Sequence, residues 1–233
     1  MLELTKIKAI GLDLDDTLWA VWPVIIRAEA HMIDWLTQRA PDTAAVFADP
    51  VRKQALRQGV VSLRPELGHN MSALRLECIR VALVQSGEDA TLAQAAFDVF
   101  FEQRLCVDLF ADVLPALAFL SARYPVVVVS NGNADVGRIG IGAHFAADVS
   151  AHLSGIGKPD VRIFHAAAQA VGVAPDEVLH VGDDPKLDVW GGLNAGMQTV
   201  WVNRDRKDWP HTYQPHASVR DLEQLCGLLQ AAD

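Results

Sequence analysis

Four short runs of nearly unbroken apolar residues, each ending in polar or acidic side chains, constrain the fold of this chain most. They cover residues 7–12 (IKAIGL), 125–130 (PVVVVS), 177–182 (EVLHVG) and 198–203 (QTVWVN). Each has the length and the β-branched content of a strand. Continuous apolarity, in place of strict alternation, suits strands buried on both faces of a parallel sheet. Helical patterns lie between them. Ile163, Phe164, Ala167, Ala168 and Val171 share one face behind Asp160, a candidate N-cap. Residues 187–195 read as a short helix closed by Gly196, and residues 112–124 as a segment whose helix starts near Pro115. Strand and helix in alternation predict an open, doubly wound, parallel α/β sheet.

One interval breaks the alternation. A βαβ unit takes roughly 30 residues or more, yet the first two of these strands are separated by a far longer stretch that is helical in pattern. Ile25, Ala28, Met32 and Leu36 share one helical face, Leu74, Cys78 and Val81 a second, and Leu92, Ala96, Val99 and Phe100 a third. The expected organisation is an α/β core formed by residues 1–18 and 110–233, with an inserted α-helical domain at 19–109. A chain of 233 residues accommodates one large domain with one smaller companion.

Composition narrows the functional classes. Twenty Lys and Arg against 29 Asp and Glu give a net charge of -9, which argues against a nucleic-acid or anionic-membrane binder, since both need a basic face. No run of about 18 apolar residues is present to span a bilayer. The first residues reach acidic side chains before a signal-like stretch can form. Cys78, Cys106 and Cys226 are odd in number and widely spaced, and are expected to be buried thiols in a reducing compartment. The expectation is a soluble, cytoplasmic protein, with its oligomeric state open and a monomer compatible.

Ligands of open α/β sheets bind beyond the carboxyl ends of the strands. The expected strands end in Asp13-Leu14-Asp15-Asp16-Thr17, Ser130-Asn131-Gly132-Asn133 and Gly182-Asp183-Asp184, while Gly157-Lys158-Pro159-Asp160 precedes a helix. A parallel sheet gathers all four sets at one rim. Clustered carboxylates repel unless a cation joins them, and oxygen ligands with water suit Mg²⁺. Each set alone has an ordinary use: a surface turn, a solvated lysine, or helix capping by Asp183 and Asp184. Residues 13–24 are not an EF-hand loop, because Leu18 and Val24 occupy the required Gly and Glu positions. Residues 155–158 are not a phosphate-binding P-loop, because Pro159 replaces the Ser or Thr.

On these four sets the chain resembles the haloacid dehalogenase superfamily, and within it the phosphatases. The first family motif, D-x-D-x-T, corresponds to Asp13, Asp15 and Thr17. The second is a strand-end hydroxyl, Ser130, followed by Asn131. The third is Lys158. The fourth, G-D-x-x-x-x-D, corresponds to Gly182, Asp183 and Asp188. The resemblance implies a Rossmann-like core with a helical cap inserted between the first two motifs. It implies Asp13 as nucleophile, Asp15 as general acid and base, and Ser130, the Asn131 amide and Lys158 as the phosphate site. Mg²⁺ would be held by Asp13, the Asp15 carbonyl and Asp183. Asp188 would orient Lys158, and Asp184 would hold a metal-bound water. Dehalogenating members lack the second aspartate, so Asp15 favours phosphate chemistry.

The longer stretches around the first and fourth motifs resemble phosphatases of flavin mononucleotide and of the ribitylaminouracil phosphate precursor of riboflavin. The expected substrate is a small phosphorylated metabolite of that kind. Arg64, His69 and Arg75 are candidate substrate contacts, with solvated surface positions the competing explanation. Trp19 and Trp22 are candidates for a ring-binding pocket, although aromatics at this spacing more often pack a core. His180, inside a strand pattern, is expected to be buried and hydrogen-bonded. Alternatives are a phosphomutase, or a sugar-phosphate or nucleotide phosphatase of the same superfamily. From another class come a receiver-like phospho-acceptor and a non-catalytic scaffold.

Overall fold

The computed structural model describes residues 2–230, with the side chain of His69 and residues 231–233 outside the described residues. A six-stranded sheet carries the fold: β1 (Ala9–Leu12), β2 (Val126–Ser130), β3 (Ala147–Ser150), β4 (Val178–Gly182), β5 (Gln198–Val202) and β6 (Ala217–Val219), in the spatial order β3-β2-β1-β4-β5-β6. Every neighbouring pair is parallel. The four predicted strands are its centre, and their residues are all buried.

The two edge strands were not legible from the sequence. β3 reads ADVS and β6 reads ASV, and each has a single buried residue, Ser150 and Val219. Edge strands packed on one face carry little apolar signal, because solvent and loops occupy the other side.

Register decides what lies at the rim. Leu12 stands opposite Val128 on one side and Val181 on the other. By that register Asp13 is level with Val129 and Gly182, so Ser130 and Asp183 stand one residue beyond it on the two adjacent strands. The helix Val161–Ala170 packs Ile163, Phe164, Ala167 and Ala168 on the sheet, and Asp160 caps it by accepting the amide of Arg162 at 2.9 Å. The segment expected as one helix over 187–195 is instead a wide π-type turn, Pro185–Trp190, continued by the short helix Gly191–Asn194. Both Asp188 and Val189 donate to the Asp184 carbonyl, at 3.0 and 3.3 Å. The widened turn seats Gly191 against Phe164: a β-carbon there would lie 2.7 Å from the ring. Such turns are frequent at functional sites.

The described residues form two compact units. The first comprises the sheet with the chain up to Ala20 and from Asp108 onward, and the second is Val21–Val107. The second unit holds the helices Val21–Thr37, Pro41–Ala48, Pro50–Leu63, Met71–Gln85 and Leu92–Arg104, around a core that includes Met32, Leu36, Ile79, Leu83 and Phe100. On the first of these helices the buried stripe starts at Val24 and not at Ile25. Pro50–Leu63 shows weak periodicity in the sequence because it buries only Leu56 and Val60. Asp49 starts it by accepting the amides of Val51 and Arg52. Of the cysteines expected to be buried, Cys78 is, whereas Cys106 is exposed and Cys226 half-buried. No helix among the described residues is long and apolar enough to cross a membrane.

Candidate active site

Asp13 follows the last residue of β1, and its amide donates to Val181 of β4 at 2.9 Å, so the sheet ladder fixes its backbone. The chain then turns within five residues. Leu18 donates to the Leu14 carbonyl at 2.7 Å and Asp16 to the Trp19 carbonyl at 2.8 Å. Asp16 takes the left-handed conformation, φ 61°, which aspartate tolerates better than most side chains. This tight loop brings the Thr17 hydroxyl back over the strand end. Its Oγ1 lies 3.1 Å from Asp13 Oδ2 and 3.4 Å from Asp183 Oδ1. Asp15 is half-buried, and its carboxylate accepts the indole N–H of Trp19 at 2.9 Å.

Lys158 is the centre of charge. Its Nζ lies 2.5 Å from Asp13 Oδ1 and 2.6 Å from Asp188 Oδ1, with all three side chains almost wholly buried. Asp188 is held from three sides. His180 Nε2 lies 2.9 Å from its Oδ1, and the amide of Asp184 donates to its Oδ2 at 3.0 Å. Asn131 anchors the lysine's backbone: its Oδ1 accepts the Lys158 amide at 2.6 Å and its Nδ2 donates to the Lys158 carbonyl at 2.9 Å. Ser130 Oγ accepts the amide of Gly132 at 3.0 Å. The indole N–H of Trp201 donates to the Asp183 carbonyl at 2.7 Å.

Electrostatics separates the carboxylates. Burial, against the pull of Lys158, pushes Asp13 up to about 7. Burial together with the negative charges of Asp13, Asp188 and Asp16 pushes Asp183 up to about 8. Asp188 is just as buried, but Lys158 and His180 outweigh that burial and hold it at about 2. Lys158 is itself raised, because Asp13 and Asp188 overcome its burial. The cluster thus has one ammonium for three buried or half-buried carboxylates. Oxygens of Asp13, Asp183 and Asp188 lie within 4.8 Å of one another. An all-oxygen set with surplus negative charge fits a hard divalent cation. Asp13, Asp183 and Asp188 are the buried or half-buried set that could hold such an ion, with Asp188 also engaged by Lys158, His180 and the Asp184 amide.

Asp13, Asp15, Ser130, Asn131, Lys158, Asp183, Asp184 and Asp188 line one cavity of about 180 Å³, together with Asp16, Gly132 and Leu187. Whole small-molecule sites usually run to about 300–1,000 Å³, and this cavity is smaller than that. Asp184 lies there and acts as a cap, one of the two uses its place in the sequence suggested. Its Oδ1 accepts the amides of Lys186 and Leu187, each at 2.7 Å, so it caps the turn that carries Asp188. Trp19 is fully buried and holds Asp15, while Trp22 is 69% exposed. Arg64 pairs with Glu66 and Glu77. Arg75 pairs with Glu29 at 3.0 Å and stacks 3.8 Å over the Phe100 ring. Both arginines are thus engaged within the helical unit, and the side chain of His69 lies outside the described residues.

Sequence reasoning assigned no role to Trp201 or Arg204, whose partners are distant in the chain and leave no local pattern. Gly182 was legible only as part of a motif, and the structure supplies the reason. A β-carbon on it would lie 2.2 Å from the Asp188 carboxyl carbon. Gly182→Ala is expected to displace Asp188 and to destabilise the fold by about 1–3 kcal/mol, as overpacking does. Thermal unfolding checks this, and an unchanged midpoint would contradict it.

Comparison with known proteins agrees with this arrangement. A family model described as haloacid dehalogenase-like hydrolase matches residues 7–196. The 5-amino-6-(5-phospho-D-ribitylamino)uracil phosphatase of Escherichia coli is 32% identical over 97% of this chain and 98% of its own length. The phosphoserine phosphatase of Thermus thermophilus is 33% identical over 65% of this chain and 63% of its own. Among solved structures, a protein of Pseudomonas syringae described as a 2-haloacid dehalogenase superposes with a TM-score of 0.92. It is 36% identical, over 97% of this chain and 100% of that one. Family match, near-full-length relatives and the Asp13–Lys158–Asp188 cluster lead to one assignment: the chain belongs to the haloacid dehalogenase-like hydrolases.

Proposed function

We propose that this chain is a Mg²⁺-dependent phosphatase of small phosphorylated metabolites, working through an aspartyl-phosphate on Asp13, with the helical unit Val21–Val107 as its cap. The observation that carries the reading is Lys158 Nζ set 2.5 Å from Asp13, with a second carboxylate, Asp15, two residues further along the same loop. Asp13 attacks phosphorus, and the ester P–O bond breaks as the Asp13–phosphorus bond forms. Asp15 gives its proton to the departing alkoxide oxygen, then takes one from the water that attacks the phospho-aspartate. Ser130 Oγ, the Asn131 amide and Lys158 Nζ bind the phosphoryl oxygens. Lys158 needs no reorganisation to do so, because Asp188 and Asn131 already hold it. Asp13, the Asp15 carbonyl and Asp183 would hold Mg²⁺, which supplies positive charge to the phosphoryl group and keeps the buried carboxylates ionised.

The likeness to the ribitylaminouracil phosphate phosphatase supports a substrate in which a polyol phosphate is joined to a heterocyclic ring. The test is phosphate release from a panel of phosphorylated metabolites, with flavin mononucleotide and ribitylaminouracil phosphate included, in Mg²⁺ and in chelator. Release confined to the ring-bearing phosphates upholds the substrate. Release spread evenly over sugar phosphates and nucleotides upholds the chemistry and removes the substrate. Silence from a folded protein removes both, leaving the mutase, receiver and scaffold readings.

Metal and pH are linked. Asp13 and Asp183 are raised to about 7 and about 8 by burial and by neighbouring carboxylates, against roughly 4 in an unfolded chain. The folded state therefore binds more protons than the unfolded state between these values. Metal-free stability is greatest below about pH 4 as far as these two groups are concerned, and is lost as pH rises through about 8. A bound dication offsets that loss. The rise in melting temperature on adding Mg²⁺ is expected to be larger at pH 8.5 than at pH 6, with protons released on binding. An increment that shrinks with pH contradicts this metal site.

A further inference from the structure

Behind the catalytic loop stands an arginine to which the proposed mechanism gives no role. Arg204, just past the end of β5, directs its guanidinium at the backbone of that loop. Nη2 donates to the Thr17 carbonyl at 2.8 Å and Nε to the same oxygen at 3.2 Å. The remaining donors form a two-point pair with Asp112, Nη1 to Oδ1 at 3.0 Å and Nη2 to Oδ2 at 2.8 Å. The guanidinium carbon also lies over the Phe110 ring, 4.0 Å from its centroid. Its side chain is only 17% exposed and that of Asp112 12%. Asp112 Oδ2 accepts the amide of Leu222 as well, at 2.8 Å. Phe110 donates its own amide to Leu18 at 3.0 Å, and Trp19 forms an antiparallel bridge with Leu109.

One planar group therefore ties together the loop after Asp13, the returning chain at 108–112 and the segment after β5. The loop end it grips is Thr17, whose hydroxyl stands between Asp13 and Asp183. We propose that Arg204 is a positioning residue for this enzyme: through the Thr17 carbonyl it sets the separation of Asp13 and Asp183, and with it the fit of the cation and the line of attack. The proposal rests on the phosphatase reading for its kinetic consequences, and on the cation site proposed at Asp13 and Asp183 for its effect on Mg²⁺ binding. A lysine cannot reproduce it, because an ammonium lacks the fork that meets a carbonyl and both oxygens of a carboxylate at once.

A cavity of about 830 Å³ lies against this clamp, lined by Arg204, Asp112 and Phe110 and by Pro115, Phe119 and Arg220. It gives a small solute a route to the position that Arg204 occupies, which makes the proposal testable by replacement of the lost group. Arg204→Ala is expected to lower kcat on 4-nitrophenyl phosphate about a hundredfold, the cost of misplacing reacting groups by about 1 Å, with a much smaller change in KM. Guanidinium chloride at low, non-denaturing concentration should restore at least a tenth of the wild-type rate, while equal sodium chloride and urea should not. Arg204→Lys should stay impaired with its fold intact. Independently of turnover, Mg²⁺ should raise the melting temperature of either variant less than that of the wild type.

Wild-type kcat in folded Arg204→Ala overturns the proposal, as does a loss that guanidinium leaves untouched while the Mg²⁺ response stays normal. If the alanine variant does not fold, Arg204→Lys decides: a wild-type rate and Mg²⁺ response overturn the proposal, and a fall in both upholds it. If the wild type itself releases no phosphate, the phosphatase reading has failed, and the Mg²⁺ response of the variants still tests Arg204 on its own.

Discussion

Asp13→Asn is expected to lower kcat by about 10⁴-fold or more, the range seen when a covalent nucleophile is removed, while the protein stays folded. The amide has the size of the carboxylate and keeps an oxygen for the Thr17 hydroxyl, so the loop retains its contact. It cannot form a bond to phosphorus that water then cleaves. Asp13→Asn leaves the buried Lys158 ammonium with Asp188 as its carboxylate partner at 2.6 Å and an amide in place of the other, so a melting curve beside the rate separates a catalytic loss from a structural one. The measurements are initial rates of phosphate release, a melting curve, and mass analysis of acid-quenched wild type for a phosphoryl group on the peptide containing Asp13. Normal turnover by folded Asp13→Asn would end the covalent mechanism.

The second large effect belongs to Asp15. Removing a positioned general acid and base costs about 10²–10⁴-fold, and Asp15→Asn should fall in that range on an alkyl phosphate. 4-Nitrophenolate leaves without a proton, so with 4-nitrophenyl phosphate the first step should survive in the variant and the second should not. A burst of one equivalent of nitrophenolate followed by slow turnover is the expected trace. A carbon–halogen bond needs no proton on its leaving group, so a dehalogenase would be indifferent to this change. The likeness to a protein described as a 2-haloacid dehalogenase makes halide release from 2-chloropropionate the necessary companion assay. Halide release that persists in Asp15→Asn, with no phosphate release in either protein, would reverse the reading of this site.

Mechanism and fold meet in how the fully buried charges are satisfied. An isolated buried ammonium is costly, and Lys158 is tolerated because Asp13 and Asp188 lie within 2.6 Å of it. Asp188 is in turn supported by His180 and by the amide of Asp184. Gly182 leaves the space in which its carboxylate stands. The arrangement serves structure as well as chemistry, and so the substitutions that probe it need a stability readout beside the rate.

The amino-acid order alone was enough for the four central strands of the parallel sheet and for the polar residues that follow them. Apolar runs buried on both faces leave an unbroken hydrophobic record, and the polar break at each strand end is sharp against it. It was not enough for β3 and β6, whose edge positions demand little apolarity. Nor did it separate the helix over 187–195 into a π-type turn and a short helix, because that depends on the capping carboxylate of Asp184 and on glycine meeting Phe164. Asp184 does cap that turn, a use the sequence already suggested for it. The supports of the site, Trp201 on Asp183 and Arg204 on Thr17, were decided by tertiary structure alone. Each joins residues brought together only when β5 takes its place beside β4, and a contact between distant segments has no period and no spacing by which a sequence could announce it.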